Sequence, residues 1–173
     1  MKKILMGIIT FIIICFSVWF QINVLNAVPL SGVKANFGII FVAGIALISG
    51  KLIGGVSGAV YGLILDITLG RSIGTYIALY TLIGIIVGIL NKNFSKGSRI
   101  SMIMVILIST CIFETMSYLL NIILNSFELS FAVLIKTLFL ECTYNALLVV
   151  LFFKPLCYLG DILNRCKNSF YLL

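Results

Sequence analysis

Residues 54–88 read GGVSGAVYGLILDITLGRSIGTYIALYTLIGIIVG, two apolar runs on either side of a short break between Gly70 and Gly74. In the first run glycines recur at 54, 58 and 62, Asp66 takes the next place, and Gly70 and Gly74 continue the interval of four. Such an interval puts these positions on one face of a helix. Residues without side chains let a neighbouring backbone approach closely, where dispersion and Cα–H contacts replace the hydrophobic drive that lipid lacks. The second run repeats the device with Gly84 and Gly88. The two helices are therefore expected to pack on each other, and docking of another protein's helix on this face is the alternative. Asp66 lies just before the Gly70–Arg71 turn, where it is expected to fix the turn by capping a helix start or pairing with Arg71, in preference to binding a ligand.

The same apolar character extends in both directions. Of 173 residues, 62% are hydrophobic and 10% charged, whereas a soluble domain runs near half apolar and a quarter charged. Lipid satisfies no backbone N–H or C=O group, so each apolar run must be helical, with breaks where charges, Asn or Gly cluster. Six segments follow, at about 4–24, 36–50, 52–69, 73–90, 100–124 and 131–153. The expected fold is an all-α polytopic membrane protein, a bundle of about six transmembrane helices forming one domain over 1–153. A mixed tail over 154–173 carries Pro155, Gly160, Asp161, Arg165 and Lys167 among apolar residues and reads as a short interfacial helix on the inner leaflet, with a frayed end as the equal alternative. About 20 residues are needed to cross a hydrocarbon layer of about 30 Å. Segments two and three are short for this; they lie shielded inside the bundle or form a helical hairpin around Lys51. The start, Met1-Lys2-Lys3 before an apolar run, resembles a signal peptide with a conceivable cleavage point at Ala27. A 17-residue apolar run, from Ile4 to Phe20, is long for a signal core, so a retained first helix is expected.

The basic residues orient the bundle, because Lys and Arg accumulate on the cytoplasmic side. With the amino terminus inside, that side receives Lys2, Lys3, Lys51, Lys92, Lys96, Arg99, Lys154, Arg165 and Lys167, and the outer side only Lys34 and Arg71. Both termini are thus expected in the cytoplasm. The net charge of +7 is accounted for by this asymmetry. Nucleic acid is not an expected partner, since the cations sit singly between apolar runs and form no continuous basic face.

Three charges remain inside the apolar segments: Glu114, Lys136 and Glu141. A charge near mid-membrane costs about 2.5 to 3.5 kcal/mol on insertion scales and needs an offset. Lys136 is five residues from Glu141, about 140° around the helix, so the two face different ways. The expected partners are interhelical: Lys136 with Glu114, or a neutral Glu141 hydrogen-bonded to Asn145, Ser109, Thr110 or Thr143. A structural or partner-docking role is favoured over an ion or small-molecule pathway, since the chain lacks the repeated halves expected of transporters. There is no histidine, no CxxC pair among the five cysteines, and no GxxxxGK phosphate loop. No catalytic residue, metal or cofactor is expected, and the cysteines read as small apolar packing residues.

The stretch from Gly54 to Gly88 resembles the hallmark of the rod shape-determining protein MreD family: a Gly-rich helix, GL-x-x-D, a glycine turn and a Gly- and Tyr-rich helix. Upstream, FQINVLNAVPLSGVKANF at 20–37 is similar to a family arrangement of Gln, Asn and Val-Lys-Pro-Asn, with Ala35 where the proline is expected. Glu114 in CIFETMSYLL and Tyr144-Asn145 in ECTYNALL also resemble family positions, with Glu141 or Cys142 where a proline is common. The resemblance implies a non-enzymatic scaffold of the bacterial cell-elongation machinery in the cytoplasmic membrane. Its implied partners are an MreC-like single-span protein and, through it, MreB filaments and peptidoglycan synthases. The family is similar in fold to the membrane-embedded substrate-binding subunits of energy-coupling-factor vitamin transporters, which supplies the rival reading. That rival expects long outer loops and small residues on helix one; the outer loops here are short and helix one has Gly7 but no dense alanine stripe.

Overall fold

The computed structural model describes residues 2–25, 32–69, 74–91, 99–125 and 131–168. Among these residues the chain forms six α-helices: α1 Lys2–Asn23, α2 Phe37–Ser49, α3 Lys51–Leu69, α4 Thr75–Leu90, α5 Arg99–Asn125 and α6 Phe131–Asn168. Ala27, Gly70, Arg71, Lys92, Lys96 and the last five residues of the expected tail lie outside the described residues.

Three helices are long and apolar enough to cross a membrane, over Lys51–Leu69, Arg99–Ile123 and Phe131–Gly160. Large apolar side chains face outward, among them Ile67, Ile100, Ile123 and Phe139, whereas Asp66, Glu141 and Asn145 are buried. This arrangement, apolar outside and polar within, suits a lipid solvent and would be unfavourable in water. The chain is an all-helical membrane protein.

The architecture is organised around α2. Its 13 residues rise only about 20 Å, and every one of them is buried. The helix packs against all five others. Its shortness is accommodated because protein, not lipid, surrounds it. At its end Gly50 takes φ +87°, a left-handed conformation open to glycine at little cost, and this one residue turns the chain directly into α3. The elbow is held by Gly50 N–H donating to Ala46 O and Gly54 N–H donating to Gly50 O, both at 2.9 Å.

The sixth segment departs from its expected end. α6 does not stop at 153 but runs through Pro155 to Asn168. Proline in a helix interior removes one hydrogen bond and crowds the preceding turn. Here that cost is offset by packing, because α6 is needed to cover the second half of α2. Leu156 is buried and lies 3.3 Å from the place a Cβ would occupy on Gly44. Gly160 admits Ile48, and Ser49 Oγ donates to the Gly160 carbonyl at 3.2 Å. Leu156 and Gly160, assigned by sequence to an interfacial tail, are thus part of the helical core.

Candidate functional site

The seam between α3 and α4 is built from absent side chains. A Cβ on Gly54 would stand 2.6 Å from the Gly84 carbonyl oxygen and 2.5 Å from Ala46 Cβ of α2. A Cβ on Gly58 would overlap the Tyr80 carbonyl, and one on Gly62 the Tyr76 carbonyl. From the other side, Gly84 meets the Gly54 carbonyl and Gly88 the Lys51 backbone. The helices therefore run antiparallel with their backbones in contact, and each glycine stands where any side chain would force them apart. Gly74 is different: its surroundings are open and its φ is +106°, so it serves the turn as the residue leading into α4.

Asp66 caps the start of α4. The first N–H groups of a helix have no partner within it, and α4 begins without a side-chain cap from Gly74. Asp66, on α3, supplies one from the neighbouring helix. Its Oδ2 accepts from the amides of Gly74 at 2.9 Å and Ile77 at 3.2 Å, and its Oδ1 from Tyr76 at 3.1 Å. The carboxylate is 1% exposed, and the positive end of the α4 dipole faces it.

A second polar assembly draws a side chain from every helix or its cap. The buried start of α2 must satisfy its own free amides, and it does so with Asn36 and Gln21. Asn36 Oδ1 accepts from Ile39 N at 3.4 Å, and Gln21 Oε1, from α1, accepts from Gly38 N at 2.8 Å. Two tyrosines complete these acceptors: Tyr61 of α3 donates to Gln21 Oε1 at 2.8 Å, and Tyr80 of α4 donates to Asn36 Oδ1 at 2.6 Å. Gly38 makes room for both rings. Asn145 of α6 accepts from Asn36 N at 3.1 Å and donates to Thr110 Oγ1 of α5 at 3.0 Å.

Glu114 and Glu141 meet beside this network. Their carboxyl groups are within hydrogen-bonding reach of each other, and Glu141 also reaches Asn145 and Asn36. Lys136 lies on an exposed face of α6, and the carboxyl group Glu114 meets is that of Glu141. Among the polar groups offered for Glu141, Asn145 is brought to it. Ser109, Thr110 and Thr143 turn their hydroxyls onto carbonyls one turn back in their own helices.

Both carboxyl groups line a polar cavity of about 170 Å³, with Gln21, Lys34, Asn36, Tyr76, Tyr80 and Ser117 among its other walls. A second cavity, of about 180 Å³ between α5 and α6, shares Glu114 and Ser117 and includes Asn121 and Thr137. Chemically, the pair offers acidic hydrogen-bonding groups to whatever polar occupant enters. Among the described residues no group of three or more metal-binding side chains occurs. Gln21 and Asn36 entered the sequence reading only through the family resemblance, without a site role, and Tyr61 and Tyr80 are site residues that sequence reasoning missed. The available signal was the tyrosine hydroxyl, which needs a partner when buried in an apolar helix.

A family model described as rod shape-determining protein MreD matches residues 1–159. The chain belongs to the MreD family. No curated protein and no solved structure matches it. The MreD match spans the glycine seam, the Asp66 cap, the carboxyl pair and both cavities, and membership implies a role in rod shape determination.

Proposed function

We propose that this chain is a non-enzymatic, multi-pass scaffold of the bacterial cell-elongation complex, seated in the cytoplasmic membrane with both termini inside. Its partner is an MreC-like single-span membrane protein, bound through helix surfaces, and MreB filaments and peptidoglycan synthases are reached through that partner. The observation that carries this reading is the MreD family match over residues 1–159. The geometry supports it in two ways. The glycine faces of α3 and α4 are occupied by each other, which leaves large apolar side chains such as Val56, Leu63 and Ile67 on the outward face. In this orientation, the polar cavity opens at the outer ends of the helices, near Lys34 and Tyr76.

The test is purification of the tagged full-length protein from its own membrane in a mild detergent, with identification of what stays bound. An MreC-like single-span protein together with cell-wall synthases is the expected result. Recovery of transporter ATPase subunits in their place would overturn the proposal.

A further inference from the structure

Cys111 of α5 and Cys142 of α6 bring their sulfur atoms to 3.9 Å across the helix pair. Both are free thiols. Cys111 faces outward and Cys142 is half-buried, and both lie near the middle of the two longest apolar spans, Arg99–Ile123 and Phe131–Gly160. A thiol at that depth is shielded from water-borne oxidants and open to lipid-soluble ones. A disulfide holds its sulfurs about 2.05 Å apart, so these thiols, already in contact at 3.9 Å, have a short approach left to make.

We propose that Cys111 and Cys142 form a redox pair, closed to a disulfide by a membrane-dissolved quinone. Two S–H bonds break and one S–S bond forms, and the two electrons and two protons pass to the quinone, which leaves as the quinol. The bond ties α5 to α6 beside the carboxyl pair, since Cys142 follows Glu141 and Cys111 precedes Glu114 by three residues. It sets the separation of the two helices that wall the cavity of about 180 Å³.

The experiment uses full-length protein in native membrane vesicles, reduced, exposed to decylubiquinone, alkylated with N-ethylmaleimide and mapped by mass spectrometry. Labelling is expected to be lost at two of the five cysteines, with a linked peptide pair containing Cys111 and Cys142 that dithiothreitol separates. Cys111→Ser and Cys142→Ser should each abolish that pair, and Cys15→Ser should leave it unchanged. Ferricyanide, which does not enter the bilayer, should close the bond far more slowly than the quinone. Full alkylation of both cysteines in the wild-type protein, a bridge to another cysteine, or a quinone adduct on sulfur overturns the proposal. Equal rates with the two oxidants overturn the assignment of a lipid-soluble acceptor.

Discussion

Asp66 places a buried carboxyl group against the amides of Gly74, Tyr76 and Ile77, so a side chain of α3 holds the start of α4. Asp66→Ala leaves those donors without an acceptor in a place water does not reach, and should cost about 2 to 3 kcal/mol. Asp66→Asn keeps one acceptor oxygen, loses the charge facing the α4 dipole, and should fall between. Thermal unfolding in mild detergent, followed by helix content, measures both; an Ala variant as stable as the wild type would show that the cap is dispensable. Asp66 was legible in the sequence because it occupies a glycine's place in a strict interval. Gln21, Asn36, Tyr61 and Tyr80 were not, because their bonds join residues 17, 40, 44 and 109 positions apart. No local pattern records such pairings. Glu114 and Glu141 were conspicuous as carboxylates in apolar runs, but their contact with each other depends on how α5 and α6 are rotated, which neither run specifies.

The pairing of α3 with α4 rests on steric fit, and it is sensitive to volume at some glycines and tolerant at others. Gly58→Leu would drive a branched side chain into the Tyr80 carbonyl and separate the helices, at a cost of about 3 kcal/mol or more. At Gly55 an added Cβ would meet only the Ile85 side chain, at 3.1 Å. That flexible chain can move, so Gly55→Ala should have a much smaller effect. Cross-linking of cysteines introduced across the seam, scored for each variant, distinguishes these outcomes; normal cross-linking in Gly58→Leu would refute the close-packed geometry. Glycine spacing made this seam readable in advance. The continuation of α6 past Pro155 was not readable, because a proline beside Lys154 ordinarily signals a helix end. Only the need to cover α2, visible through Leu156, Ile48 and Gly160, explains why the helix goes on.

For the molecule as a whole, the apolar runs made six helices and their membrane solvent legible, while the central position of α2 required the structure. It is the most apolar of the six helices and its shortness suggested shielding inside the bundle, but neither feature says that five helices surround it. Orientation is a separate matter, argued from the distribution of Lys and Arg. A fluorescent protein fused after Leu173 should fold and glow in the cytoplasm, and alkaline phosphatase at the same point should be silent. An active phosphatase fusion would reverse the proposed topology. The sheathing of α2 also has a consequence for biogenesis. A nascent chain releases α2 early, yet the helix that covers its second half, α6, is the last to be synthesised. Until then a 13-residue segment, too short to span the bilayer unaided, must wait at the insertion machinery or beside α3, to which Gly50 hinges it. Chains stalled before residue 131 would therefore carry an α2 whose second half is left uncovered.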